Sequence, residues 1–170
     1  TNANKPVWGT CPEEGTAAPN IEGVWKVTSA ELDNQELLGV TASSDYLYLY
    51  PDGTLLTRTY NDSNDTSLKG YGVGTYTINA DNTITTVATA YNPDGSVLQD
   101  YNLVWDITLF NANNLNIKIN DYPAAGNVYI KKHIKANITL PTSSEITSWI
   151  EAANYNYNYN YFGVWKTTSA

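Results

Sequence analysis

Apolar and polar side chains alternate strictly along most of this chain, and a period of two marks strands with one buried face. In the first such stretch Gly23, Trp25 and Val27 share one side, with Val24, Lys26 and Thr28 on the other. Tyr46 to Tyr50 alternates Tyr with Leu, and Leu55 to Tyr60 returns as its hairpin partner. Between them, Pro51-Asp52-Gly53 supplies a fixed φ, a side-chain acceptor and a residue tolerant of positive φ, which together reverse a chain. Gly72 to Ile78, Thr83 to Tyr91, Ser96 to Phe110, Leu115 to Ile119 and Val128 to Ile134 continue the series, with Pro93-Asp94-Gly95 repeating the turn recipe. Gly72 and Gly74 leave room for bulky neighbours or a sharp bend. On the longest strand, Val97, Tyr101, Leu103, Trp105, Ile107 and Leu109 oppose Asp100, Asn102, Asp106 and Thr108; on the last, Val128, Ile130 and Ile134 form the apolar face.

The pattern departs from two residues in three places. Residues 1–20 carry three prolines and two glycines with few apolar side chains, which predicts an N-terminal arm or tether with Val7-Trp8 as its docking point. Asn34 to Leu38 reads as a short helical turn ended by Gly39. After Leu140, Pro141-Thr142-Ser143-Ser144-Glu145 offers a helix start, and Ile146, Trp149, Ile150 and Ala153 recur at three and four residues, predicting one short amphipathic helix. A Tyr/Asn alternation from Asn154 to Tyr161 then leads into Gly163 to Ala170, a near-copy of Gly23 to Ala30. That copy is read as a ninth strand, a strand exchanged into a neighbouring barrel, or the opening of a second domain.

Eight short antiparallel strands joined by tight turns must close or stack, and an up-and-down order favours closure, which removes exposed edges. The expectation is therefore an all-β, eight-stranded antiparallel up-and-down barrel over residues 21–140, followed over 141–170 by a helix and a Tyr/Asn-rich terminal strand. A barrel of this size is filled by side chains or holds one small ligand. Composition sharpens the choice. Fourteen Tyr and five Trp stand against two Phe, rings with polar handles that suit half-wet walls. The net charge of −8 and the absence of a Lys/Arg cluster beyond Lys131-Lys132 exclude nucleic acid as a partner. Cys11 is the only cysteine and His133 the only histidine, so neither a disulfide nor a Cys/His zinc site can form within the chain. No apolar run reaches membrane-spanning length, which argues against membrane insertion. The Asn/Thr/Ser/Tyr-rich balance and the lack of a start methionine suggest a processed, exported protein: periplasmic, a cell-surface lipoprotein or secreted.

Glu22-Gly23-Val24-Trp25-Lys26-Val27 after a polar arm, the Pro-Asp-Gly turn, Gly74-Thr75-Tyr76-Thr77-Ile78, and Trp105-Asp106-Ile107 before Asn113-Asn114-Leu115 resemble the lipocalin-like domains of bacteria, the small secreted ones common in Bacteroidetes. The resemblance covers Ile21 to Ile134. It implies a ligand-binding barrel whose closed end is plugged by the ring of Trp25, with Lys131 or Lys132 replacing the family's usual arginine as the covering cation. It also implies a helix and a further strand after the barrel.

Few residues offer chemistry. His133 lacks a marked nucleophile and reads as structural. Asp62 and Asp65 supply oxygens but no EF-hand spacing, and Asp100 and Asp106 stand six residues apart on one strand as surface charges. Arg58, the only arginine, either faces inward with Leu56 and Tyr60 or outward with Leu55 inside. Tyr76, Leu103 and Trp105 are the expected cavity lining, so the candidate ligand residues are Leu56, Arg58, Tyr60, Tyr76, Leu103 and Trp105, with Trp25 as plug. The tyrosines at 46, 48 and 50 and those at 155, 157, 159 and 161 serve either as sugar-stacking platforms or as cross-strand packing. The expected function is non-catalytic binding of a small apolar or amphipathic molecule without a cofactor. The alternatives are an assembly module that exchanges its C-terminal strand, forming a homo-oligomer, and a glycan-binding surface built on the tyrosine stripes.

Overall fold

In the computed structural model, residues 20–37, 44–149 and 151 are described. The N-terminal arm, the Tyr/Asn alternation and the C-terminal copy of the first strand lie outside them. The described chain runs β1 (Gly23–Leu32), β2 (Gln35–Glu36), β3 (Ser44–Leu49), β4 (Thr54–Tyr60), β5 (Leu68–Ile78), β6 (Thr83–Tyr91), β7 (Val97–Phe110), β8 (Asn114–Asn120) and β9 (Val128–Lys135), then helix α1 over residues 143–149. Every pairing is antiparallel, and β1 pairs with both β3 and β9, so eight strands close into a barrel with β2 hanging on the edge of β1. No helix among the described residues is long and apolar enough to cross a membrane.

The turn chemistry acts as the sequence predicts. Gly53 and Gly95 have φ of 85° and 82°, and in both turns the Asp side chain accepts the backbone N–H two residues on, at Thr54 and Ser96. The stretch after β1 differs from expectation. Instead of a helical turn, Asp33 and Asn34 both take positive φ and reverse the chain, so that Gln35–Glu36 pairs back onto Leu32 and Glu31. Asp33 is held in place because its carboxylate accepts the Val128 N–H and the Asn127 amide.

One end of the barrel is shut by Trp25. The ring is fully buried, packs edge-on against Phe110 at 6.2 Å, and donates its indole N–H to the Ile21 carbonyl at 2.7 Å. Lys135 lies over the ring with Nζ 4.3 Å from its centroid and donates to the Glu22 carbonyl. The covering cation is therefore Lys135, not Lys131 or Lys132. The register explains why, since Trp25 pairs with Lys135 across β1 and β9, whereas Lys132 and Lys131 pair further along with Ser29 and Ala30. Gly23 is required by the same contact. Its φ is 120°, and a Cβ there would stand 2.6 Å from Lys135 Nζ, so the glycine two before the tryptophan is where the lysine passes.

Two apolar clusters share the wall of β1, β3 and β4. The inner one gathers Trp25, Leu47, Leu49, Leu55, Tyr76, Ile84, Trp105, Phe110, Leu115 and Ile117. The outer one gathers Val24, Tyr46, Tyr48, Leu56 and Tyr60 beneath Ile146 and Trp149 of α1. The helix begins in a capping box, with the Glu145 N–H bonded to the Thr142 hydroxyl and the Glu145 carboxylate accepting the Thr142 N–H. Tyr50 anchors the approach by donating to the Pro141 carbonyl. The Tyr46, Tyr48 and Tyr50 stripe is thus packed under a helix and offers no stacking platform for a sugar.

Trp25→Ala is expected to lower the unfolding free energy by about 3–5 kcal/mol and Lys135→Met by about 0.5–2 kcal/mol, read as lower urea midpoints at unchanged slope. A Lys135→Met protein as stable as wild type would remove the lysine from the plug. Trp149→Ala should cost about 1–3 kcal/mol and quicken amide exchange in β3 and β4 while β7 and β8 stay protected; uniform quickening would show that α1 holds the whole barrel rather than its own wall.

Candidate ligand-binding cavity

Beyond the Trp25 plug the barrel is hollow, with a cavity of about 720 Å³. The hollow follows from side-chain size on the inward faces. Gly70, Gly72 and Gly74 face inward on β5 because they pair with Thr59, Thr57 and Leu55, and on β6 the inward series opposite them is Ala88 and Ala90. A Cβ at Gly74 would stand 2.1 Å from the Val87 carbonyl oxygen and 2.5 Å from Ala88 Cα, so β6 approaches too closely there for any side chain. Gly70, Gly72, Ala88 and Ala90 on these adjacent strands leave the space, and larger groups wall it: Leu47, Leu103, Trp105, Ile117, Ile119 and the tyrosines at 101, 122 and 129.

The three tyrosines form a connected edge. Tyr122 meets Tyr129 at 5.6 Å in a T-shaped contact and Tyr101 at 6.2 Å. Burial, followed by the hydrogen bond to Tyr101, pushes the Tyr122 phenol up to about 12, so it remains a neutral hydroxyl. On the neighbouring wall Tyr71 and Tyr91 stack at 5.1 Å with their planes 16° apart.

Polar groups enter the cavity chiefly from β9. Its inward face carries Tyr129, Lys131 and His133, while Ile134, assigned to the apolar inner face by alternation, is exposed. Lys131 Nζ lies 2.6 Å from the Asp45 carboxylate, whose other oxygen accepts the Thr59 hydroxyl at 3.1 Å. Burial works against the lysine charge, yet the Asp45 carboxylate beside it raises its pKa above the ordinary lysine value on balance. The side chains of the pair are 26% and 21% exposed, open to the lumen rather than sealed in the wall. His133 is only 2% exposed and its Nδ1 lies 2.8 Å from the Leu115 carbonyl, which fixes the N–H on Nδ1 and leaves Nε2 as an acceptor. Burial, and then the Lys131 ammonium, lower its pKa from 6.5 to about 4, so the ring is neutral at physiological pH.

Of the residues that the sequence singles out, the structure brings Leu103 and Trp105 to the cavity. Tyr76 packs in the inner cluster instead, with its hydroxyl donated to the Tyr50 carbonyl. Leu56, Arg58 and Tyr60 face the other way. Leu55, Thr57 and Thr59 are inward on β4, and the Arg58 guanidinium sits outside the barrel, 3.9 Å from the Trp149 ring and 5.1 Å from the Tyr60 ring. Arg58 therefore fastens the helix and does not meet a ligand in the cavity. Asp45, Lys131 and His133 escape the sequence reading as cavity groups because apolar content assigns the inner face, and on β9 that rule chooses the wrong side. The signal that could have found them is the run of small residues at 70, 72, 74, 88 and 90, which marks the hollow face of β5 and β6.

Asp62 and Asp65 are loop-building groups rather than metal ligands. Asp62 accepts the N–H groups of Asn64, Thr66 and Ser67, and Asp65 accepts the Tyr46 hydroxyl. Asp100 accepts the Thr89 hydroxyl, and Asp106 pairs with Lys118 at 3.4 Å on the surface. Among the described residues no three His, Cys, Asp or Glu side chains are grouped to hold a metal.

No family model matches the chain, and no curated protein does. Solved structures match it in fold. A biogenic amine-binding protein, as its selenomethionine derivative, aligns at a TM-score of 0.52 with 15% identity over 78% of this chain and 70% of its own. The tryptamine complex of the amine-binding protein of Rhodnius prolixus aligns with the same score, identity and coverage. At 15% identity the likeness is one of architecture: this chain is an eight-stranded, lipocalin-like antiparallel barrel with one edge strand and one short helix.

Proposed function

We propose that the protein is a non-catalytic binding protein that holds one small apolar or amphipathic molecule inside the barrel, and that it serves as an exported protein of the bacterial lipocalin-like type. The observation that carries this reading is the hollow itself. Gly70, Gly72, Ala88 and Ala90 forgo packing on the inner wall and leave about 720 Å³ lined by aromatic and aliphatic groups, a volume in the range of pockets that enclose a drug-sized ligand. The two amine-binding neighbours share the architecture and support ligand binding as the use of such a barrel. The ionisable groups favour holding over chemistry. Asp45 and Lys131 neutralise each other, and His133 has its proton committed to the Leu115 carbonyl and a basicity too low for a general base at neutral pH.

Titration with the neutral dye N-phenyl-1-naphthylamine is expected to show one saturable site by fluorescence enhancement. Leu103→Trp fills the lumen and should weaken that site at least about tenfold, the effect of losing about 1.4 kcal/mol, with stability retained. Dye binding indifferent to Leu103→Trp would move the site out of the barrel.

His133 gives a pH test of the interior. Its folded pKa, about 4, lies below the ordinary 6.5, so the unfolded chain takes up the proton first. Its contribution is whole above pH 6.5 and is lost as pH falls from there through 4, by about 3 kcal/mol in total. His133→Gln should flatten that part of the stability profile; an unchanged slope would mean that the imidazole is not held neutral by the fold.

A further inference from the structure

We propose that the cavity selects uncharged, largely apolar ring molecules bearing a carbonyl oxygen, and that Lys131 Nζ is the group that receives that oxygen. This rests on the reading of the barrel as a ligand-binding cavity and names what it takes. Hydrogen-bond capacity is left unused among the groups that face the lumen. Asp45 has one oxygen on Lys131 and the other on the Thr59 hydroxyl. Lys131 has three N–H donors, of which Asp45 takes one, and it donates to no other acceptor among the described residues. Its remaining neighbour of note is the Tyr129 ring, 5.8 Å from Nζ, which cannot replace an oxygen. An ammonium donates only, so whatever completes its shell must be an acceptor.

Charge decides which acceptor. Asp45 is the one carboxylate among the described residues that line the cavity, and with the Lys131 ammonium beside it the pair sums to zero; the other lining cation, Lys69, is exposed to solvent. A cationic ligand would meet the Lys131 ammonium and, at Asp45, a carboxylate whose charge that ammonium already neutralises. An anionic ligand would gain Lys131 but stand beside Asp45, inside a protein of net charge −8. A neutral carbonyl gains the charge-assisted bond with neither repulsion. The rest of the surface fits a ring system: Leu103, Ile117, Ile119, Tyr101 and Tyr129 supply apolar and aromatic walls. Further lumen groups, among them the Thr57 hydroxyl, His133 Nε2 and the Trp105 indole N–H, have no side-chain partner among the described residues and would accommodate a hydroxyl on the same molecule.

The test uses one ring with four heads: 2-acetylnaphthalene, 2-ethylnaphthalene, 2-naphthoate and 2-naphthylmethylammonium, each titrated calorimetrically into the full chain at pH 7. The ketone is expected to bind about tenfold or more tighter than the ethyl compound, the worth of a hydrogen bond to a charged group, and both ions more weakly than the ethyl compound. In Asp45→Asn/Lys131→Met, which removes both charges together, the ketone should lose its advantage while the ethyl compound keeps its affinity. Tightest binding of the ammonium would make Asp45 the anchor, and tightest binding of naphthoate would make the site an anion site; either overturns the proposal. Equal affinity of ketone and ethyl compound overturns it too, while leaving the binding cavity intact. Failure of all four to bind would instead remove the binding reading on which the proposal stands.

Discussion

Trp25 shuts one end of an eight-stranded barrel, and the remaining architecture follows from that unequal filling of its two ends. At the plugged end, large rings and branched side chains meet across the lumen, and a lysine from the last strand lies over the indole. Towards the other end the inward positions shrink to Gly and Ala on β5 and β6, and no side chain replaces the lost volume. Protein interiors are otherwise packed as densely as organic crystals, so a retained hollow on this scale sets this barrel apart from a simple core. The plug stabilises the closure through β1 and β9, and the closure keeps the hollow walled.

Burial on the outside of the barrel explains the second half of the chemistry. Because α1 covers β3 and β4, both faces of those strands carry buried apolar side chains, and the outer face collects Tyr46, Tyr48, Leu56 and Tyr60 around the Arg58 guanidinium. The only arginine is thus a fastening for the helix, sandwiched between the rings of Tyr60 and Trp149. The ionisable groups that β3 and β9 leave in the lumen are Asp45, Lys131 and a neutral His133, with the exposed Lys69 of β5 as the other lining cation. A hydrogen-bonded ion pair in a semi-enclosed space is tolerable only when each member keeps its partner. The pair then presents donors to the lumen rather than a bare charge.

The likeness to amine-binding barrels is informative because of what it does not carry across. Architecture passes between sequences at 15% identity, since an alternating pattern, tight turns and a plug suffice to build it. Polar groups in the lumen are set by single inward positions, and each can change without disturbing the strands. Asp45 engaged on both oxygens is therefore evidence about this chain that no neighbour supplies.

Local physics determined much of this protein from the sequence by itself. Alternation placed eight strands, Pro-Asp-Gly placed two turns and a Thr-x-x-Glu box started the helix, because each depends on residues adjacent along the chain, while the plug at Trp25 was legible only through the family resemblance. Tertiary structure decided which face of each strand looks inward. Alternation distinguishes two faces but does not say which is enclosed, and once a helix covers the outside of β4 the apolar content of the two sides no longer discriminates. Leu56, Arg58 and Tyr60 were legible as one face for that reason, yet not as the outer one. Register and a bulge completed the difference: the pairing of β1 with β9 set Lys135 over Trp25, and a bulge in β7 turned Phe110 inward where Leu109 was expected. A single extra residue flips every later side chain, and only the pairing of distant strands reveals that it is there.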